Sequence, residues 1–213
     1  MLPVLLLLAI PGVAQASDVY VNPARAGCSD SATAVVASDA STPWCSLTPA
    51  GRLVRPGDVV HVAAATYAAQ FRPVASGTST AAITYQADGD VTIGGPAGVV
   101  SVMLVGVHDV VLRGVTVLAA APQAVWIDSA ARVVLDGDTV TNSAGTGVQV
   151  KAGTSVTITN SRLINNSRAG FLEMAQATGT TLSASTVSGN GKDGQQYNGD
   201  GVGLNGTGGS VID

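Results

Sequence analysis

From residue 108 to residue 208 the chain repeats itself about every 23 residues. The successive lines are "HDVVLRGVTVLAAAPQAVWIDSA" (108–130), "ARVVLDGDTVTNSAGTGVQVKAG" (131–153), "TSVTITNSRLINNSRAGFLEMAQA" (154–177) and "TGTTLSASTVSGNGKDGQQYNGDGVGLNGTG" (178–208). Five apolar files run down them: Val110/Val133/Val156/Thr180, Leu112/Leu135/Ile158/Leu182, Val117/Val140/Leu163/Val187, Val125/Val148/Leu172/Val202 and Ile127/Val150/Met174/Leu204. Nineteen of these 20 positions are aliphatic or Met, so the period belongs to the fold and not to chance.

Within a line the apolar positions come in i, i+2 pairs, the period of a strand. Gly, Asn, Asp and Ser punctuate very short segments, and the β-branched content excludes helices. Each line therefore reads as three short strands. One line per coil describes an all-β fold, a parallel β-helix in which equivalent strands stack about 4.8 Å apart around a continuous apolar column. A hydrophobic content of 46% supports one such core. A net charge of −4 and the lack of a Lys/Arg run exclude nucleic acid as the expected partner. The stretch "SGNGKDGQQYNGDG" lengthens one turn by several residues, and "GVGL" then resumes the files. "GSVID" begins a line that is not completed, so the coils are expected to be truncated at the C-terminus.

The segments "DVYVNPARAG", "STPWCSLTPAGRLVRPGDVVHVAAATY" and "AAITYQADGDVTIGG", followed by these coils, resemble the right-handed parallel β-helix proteins of the pectate-lyase-like group, in particular the N-terminal part of secreted polysaccharide lyases. The resemblance spans roughly residues 18–213. It implies a short capping helix, with Thr48 as N-cap and Pro49 as first residue. Leu47, Ala50 and Val54 would then face the open end of the core. Pro56-Gly57-Asp58 would stop the helix, and Val60 and Val62 would begin the first strand.

"MLPVLLLLAIPGVAQAS" has the apolar run and the Ala14-Gln15-Ala16 cleavage pattern of an export signal, with Ser17 as the mature start; a buried N-terminal strand is the alternative. The run is too short to span a bilayer. The expected organisation is a signal at 1–16, a cap at 17–57 and coils over 58–213, in a monomeric protein that is secreted or held at the cell surface, with no membrane span once the signal is cleaved. Cys28 and Cys45 are the only cysteines and would pair after export, adding about 3 kcal/mol; two free buried thiols are the rival reading.

Residues between inward positions point out. On the strand after the long turn this exposes Trp126 and Asp128, Gln149 and Lys151, Glu173 and Ala175, and Gly203 and Asn205 on successive rungs. The third rung has two registers. Leu172 and Met174 inside is the expected one, because the other buries Glu173. The resemblance makes this strip the polysaccharide-binding face. Trp126 either stacks on a sugar ring or packs under the turn at 119–123, while Gln149 and Asn205 supply hydrogen bonds. Asp128 and Lys151 are expected to form an exposed ion pair. Asp136 and Asn160, and Asn142, Asn165 and Asn166, are expected to satisfy turn backbone.

Two functions compete. In the first the protein degrades a uronate-containing extracellular polysaccharide by β-elimination, with Lys151 as the base and Lys192 and Arg168 behind it. Glu173, Asp128, Asp193 and Asp200 would be ligands of a Ca2+ ion; for Asp193 and Asp200, solvated turn residues are the plainer reading. A glycoside hydrolase would need two facing carboxylates, for which Glu173 and Asp200 are the pair. In the second the protein is a non-catalytic surface, adhesion or glycan-binding module.

Overall fold

The computed structural model describes residues 16–119, 122–192, 201–206 and 208–213. The export signal expected at 1–16 lies almost wholly outside these residues.

The described chain opens with β1 (Asp18–Val21), followed by α1 (Ala34–Ala37) and α2 (Leu47–Leu53). Ser46, not Thr48, caps α2: its hydroxyl accepts the Thr48 N–H at 3.3 Å and donates to Asp30. The cap falls two residues before the expected position because Asp30 fixes Ser46, accepting its N–H as well. Leu47, Ala50 and Val54 are buried, closing the end of the core as expected. Cys28 and Cys45 form a disulfide that ties the segment holding α1 to the start of α2.

β2 (Val59–Tyr67) and β3 (Ile83–Gly94) are long strands that continue around a corner. β1 pairs with β2, and β2 with β3, all parallel. The coils follow. β4 (Val102–Val105), β5 (His108–Arg113) and β6 (Thr116–Leu118) lead to β7 (Gln123–Asp128), β8 (Ala131–Asp136) and β9 (Thr139–Thr141). Then come β10 (Thr146–Val150), β11 (Thr157–Thr159) and β12 (Arg162–Ile164), and β13 (Phe171–Glu173), β14 (Thr181–Ser183) and β15 (Thr186–Ser188). β16 (Val202–Leu204) and β17 (Val211–Ile212) begin the next coil. One sheet runs β16-β13-β10-β7-β4; the other carries the remaining strands, with β3 bridging its two halves by pairing with β5 and with β6. Every strand-to-strand pairing is parallel, and the molecule is a β-solenoid, as the repeat demands.

Periodic polar contacts hold the corners. Between the second and third strand of each coil, Gly114, Gly137, Asn160 and Ala184 take positive φ, a conformation that Gly and Asn tolerate and that costs Ala about 1–2 kcal/mol. Asn160 Nδ2 donates to Asp136 Oδ1 at 2.9 Å, an Asx contact between neighbouring coils. In the long turn the Ser143 N–H donates to Asn166 Oδ1, and the Asn166 N–H to Asn190 Oδ1. Asn166 thus serves the turn from inside, joined by Asn190, whereas Asn142 and Asn165 take the positive-φ step beside it.

The third rung departs from its expected register. Val148 pairs with Phe171 and Val150 with Glu173, so Phe171 and Glu173 point inward and Leu172 and Met174 outward. The extra residue of this line is taken up after β13 rather than before it, since Thr154 pairs with Thr178. This seats Phe171, a larger apolar side chain than Leu172, between Val148 and Val202. The carboxylate cost falls on Glu173. Its Oε1 accepts from Ser210 Oγ at 2.7 Å; its Oε2 is buried and has no partner among the described residues.

Candidate functional site

The five-stranded sheet presents two outward files. The first is Met103, Trp126, Gln149, Leu172 and Gly203; the second is Val105, Asp128, Lys151, Met174 and Asn205. They exist because Val125/Val148/Phe171 and Ile127/Val150 fill the interior, which turns the alternate residues out.

Trp126 is half-buried, flanked along its file by Met103 and Gln149, and presents an apolar surface on the outer face of the sheet. Gln149 is nearly covered, at 7% exposed, and its Nε2 lies 2.8 Å from Met174 Sδ. Leu172 continues the apolar surface over Gly203, where a Cβ would come within 2.9 Å of Leu172 Cδ1. Asn205 is exposed, and its N–H donates to the Glu173 carbonyl.

Lys151 Nζ donates to Asp128 Oδ2 at 3.2 Å across one rung, and Ser129 Oγ donates to the other carboxylate oxygen. The side chain of Lys151 is 44% exposed and that of Asp128 17%. This is the expected ion pair, and it leaves the ammonium accessible from the strip.

The structure brings Trp126, Gln149, Lys151 and Asp128 together on one face. It does not bring Glu173 there: the carboxylate points into the core, and Leu172 takes its place on the strip. Asp193 and Asp200, on which the expectation of a Ca2+ ion chiefly rests, lie outside the described residues. Lys192 stands away from the strip, its Nζ 3.4 Å from Asn165 Oδ1, in an open groove of about 580 Å3 along the long turn that Asn142 and Leu118 also line. Arg168 is exposed on the same turn, before β13. Among the described residues no helix is long and apolar enough to cross a membrane.

Residues 101–211, just over half of the chain, match the family model "Right handed beta helix region". The chain therefore belongs to the right-handed β-helix family, as its solenoid and its repeated files define. No curated protein matches the sequence. Among solved structures it is similar to the pectate lyase Pel9A, with a TM-score of 0.65 and 17% identity over 82% of this chain and 48% of that one. It is similar to a rhamnogalacturonan lyase, with a TM-score of 0.63 and 15% identity over 90% of this chain and 62% of that one. An alginate lyase from Paenibacillus sp. str. FPU-7 aligns with a TM-score of 0.54 and 17% identity, over 61% of this chain and 59% of that one. At these identities the likeness is one of fold, pectate-lyase-like, and the chain spans less than two thirds of each of these structures.

Proposed function

We propose that this chain is part of a secreted, monomeric protein that binds an extracellular uronate-containing polysaccharide along the outward files of the five-stranded sheet and cleaves it by β-elimination. The observation that carries the reading is the outward file Met103–Trp126–Gln149–Leu172, with Lys151 one file away. An apolar ridge suits the faces of pyranose rings, and the adjoining ammonium suits a carboxylated sugar. The lyases named above support the substrate class. The apolar leader and the disulfide support export.

In the elimination a base removes the proton α to the uronate carboxylate. The electron pair forms the 4,5 double bond, and the C4–O bond breaks with its electrons leaving on the glycosidic oxygen, which takes up a proton. Lys151 is the base in this reading: a uronate carboxylate entering the strip competes with Asp128 for its ammonium, the ammonium gives up a proton to water, and the neutral amine so formed takes the C5 proton. The ion pair also favours a second reading, a glycan-binding module without catalysis, because a Lys held by Asp128 needs no further role to explain its place.

The test is ultraviolet detection of unsaturated product on polygalacturonate, rhamnogalacturonan and alginate. Wild type is expected to form it on one of them, and Lys151→Ala to lose at least about 100-fold in rate with an unchanged circular dichroism spectrum. An unchanged rate in Lys151→Ala removes it as base. Saturable binding without product from wild type selects the non-catalytic module.

A further inference from the structure

The five-stranded sheet has one more rung than its strands show. Phe71 bridges Val102 in parallel, donating its N–H to the Ser101 carbonyl and accepting the Met103 N–H. Phe71 and Pro73 are buried while Arg72 and Val74 are exposed, the same alternation as on the coils below. Arg72 therefore heads the outward file that continues through Met103 to Trp126.

α2 is docked against this rung. The Val74 and Ala75 N–H groups both donate to the Gly51 carbonyl, at 2.8 and 3.2 Å. A Cβ on Gly51 would sit 3.1 Å from Pro73 Cα, so the helix approaches this closely because residue 51 is glycine. The next residue is Arg52. Arg52 and Arg72 line one groove of about 290 Å3 with Leu47, Thr48, Gln70 and Val74. The groove has no carboxylate in its lining. Elsewhere Arg113, Arg132 and Lys151 are each paired with an aspartate, while Arg25, Arg55 and Arg162 make no ion pair among the described residues. Arg52 and Arg72 make no ion pair among the described residues, although the chain carries a net charge of −4. Asp30, which lines the adjoining groove with Arg52, is engaged by the Cys45 and Ser46 N–H groups and the Ser46 hydroxyl.

From this we infer that the Arg52–Arg72 groove is a carboxylate-binding subsite at the N-terminal end of the glycan strip. It takes a uronate carboxylate two rungs, about 10 Å, from the sugar stacked on Trp126. Guanidinium groups are suited to this, since they present paired donors to a carboxylate in its own plane. The bound chain then runs across the strands, from the cap toward Lys151. The inference rests on the reading of the strip as a glycan site.

The experiment is calorimetric titration with a uronate hexamer (galacturonate, or alginate if wild type prefers it), the same hexamer with its carboxyl groups reduced to alcohols, and the uronate dimer. The double variant Arg52→Gln/Arg72→Gln changes exposed residues and should keep the fold. It is expected to bind the uronate hexamer about tenfold more weakly, and the reduced hexamer and the dimer as wild type does. Trp126→Ala is expected to weaken both hexamers. If the arginine variant binds the uronate hexamer as wild type does while Trp126→Ala weakens it, the subsite is wrong and the strip stands. Equal weakening toward the reduced hexamer overturns recognition of the carboxylate. If Trp126→Ala leaves both hexamers unaffected, or wild type binds neither, the strip and the subsite fall together.

Discussion

Val148→Asp is expected to lower the stability of the protein by roughly 3–5 kcal/mol, the cost of an unpaired charge in an apolar interior. Val148 is fully buried, stacked between Val125 and Phe171 in the file that runs through every described coil of the five-stranded sheet. A carboxylate there has no donor, because the backbone N–H groups of both neighbouring strands are already engaged in the parallel ladder. For a chain of this length the loss corresponds to a fall of about 10 °C in the unfolding midpoint. Thr157→Asp, on the outward side next to the buried Ile158, should change stability by no more than about 0.5 kcal/mol. Thermal unfolding of both variants checks the file assignment. Equal effects from the two would contradict it.

Asp138→Ser is expected to stabilise the protein at neutral pH, by about 1–4 kcal/mol. Asp138 is 1% exposed. Its Oδ1 accepts the Val115 N–H, but Oδ2 is buried with no partner among the described residues. Burial pushes its carboxyl well above the ordinary value of 3.8, opposed by the Val115 hydrogen bond and reinforced by the charge of Asp136. In the next two coils the same place is held by Ser161 and Ser185. Each accepts the N–H of the coil before it and donates its hydroxyl to a carbonyl two residues back. Serine at 138 would complete that file without a charge. The folded state binds the Asp138 proton more tightly than the unfolded chain does. Its contribution is therefore most favourable below pH 3.8, declines as pH rises toward the folded-state pKa, and is constant above it. The advantage of the serine variant should accordingly be smallest near pH 3 and grow with pH. Denaturant unfolding of both proteins across that range measures the difference; an advantage that shrinks with rising pH would contradict the assignment.

Most of the solenoid was legible because a repeat multiplies its own signal. A single "VVL" could be a strand or a buried helical turn; "VVL", "VVL" and "VTI" stacked at a 23-residue spacing could not. Trp126, Gln149 and Lys151 followed from period-two alternation once the files were aligned. The rung at 171–174 departs from the expected register because two physical rules conflict there. Excluding a buried carboxylate favours one register, and burying the larger apolar side chain favours the other. Only the position of the extra residue, in the turn after β13, decides between them, and that is a property of three-dimensional stacking. Arg52 and Arg72 are not legible in the sequence for a related reason. "QFRPV" carries the alternation of a rung, but it precedes the regular repeat and makes only one bridge, so no neighbouring line reveals that it continues the strip.

If sugar rings lie on Trp126, tryptophan fluorescence reads their binding. The chain has two tryptophans; Trp44 is fully buried in the cap, its Nε1 donating to the Ala32 carbonyl, and Trp126 alone is half-exposed. Titration with a uronate hexamer should give a saturable change in emission whose midpoint agrees with the calorimetric Kd, and Trp126→Phe should abolish that change while Trp44 still emits. Calorimetric binding of the hexamer with no change in wild-type emission, or a change that survives Trp126→Phe, would mean that the sugar does not lie on Trp126.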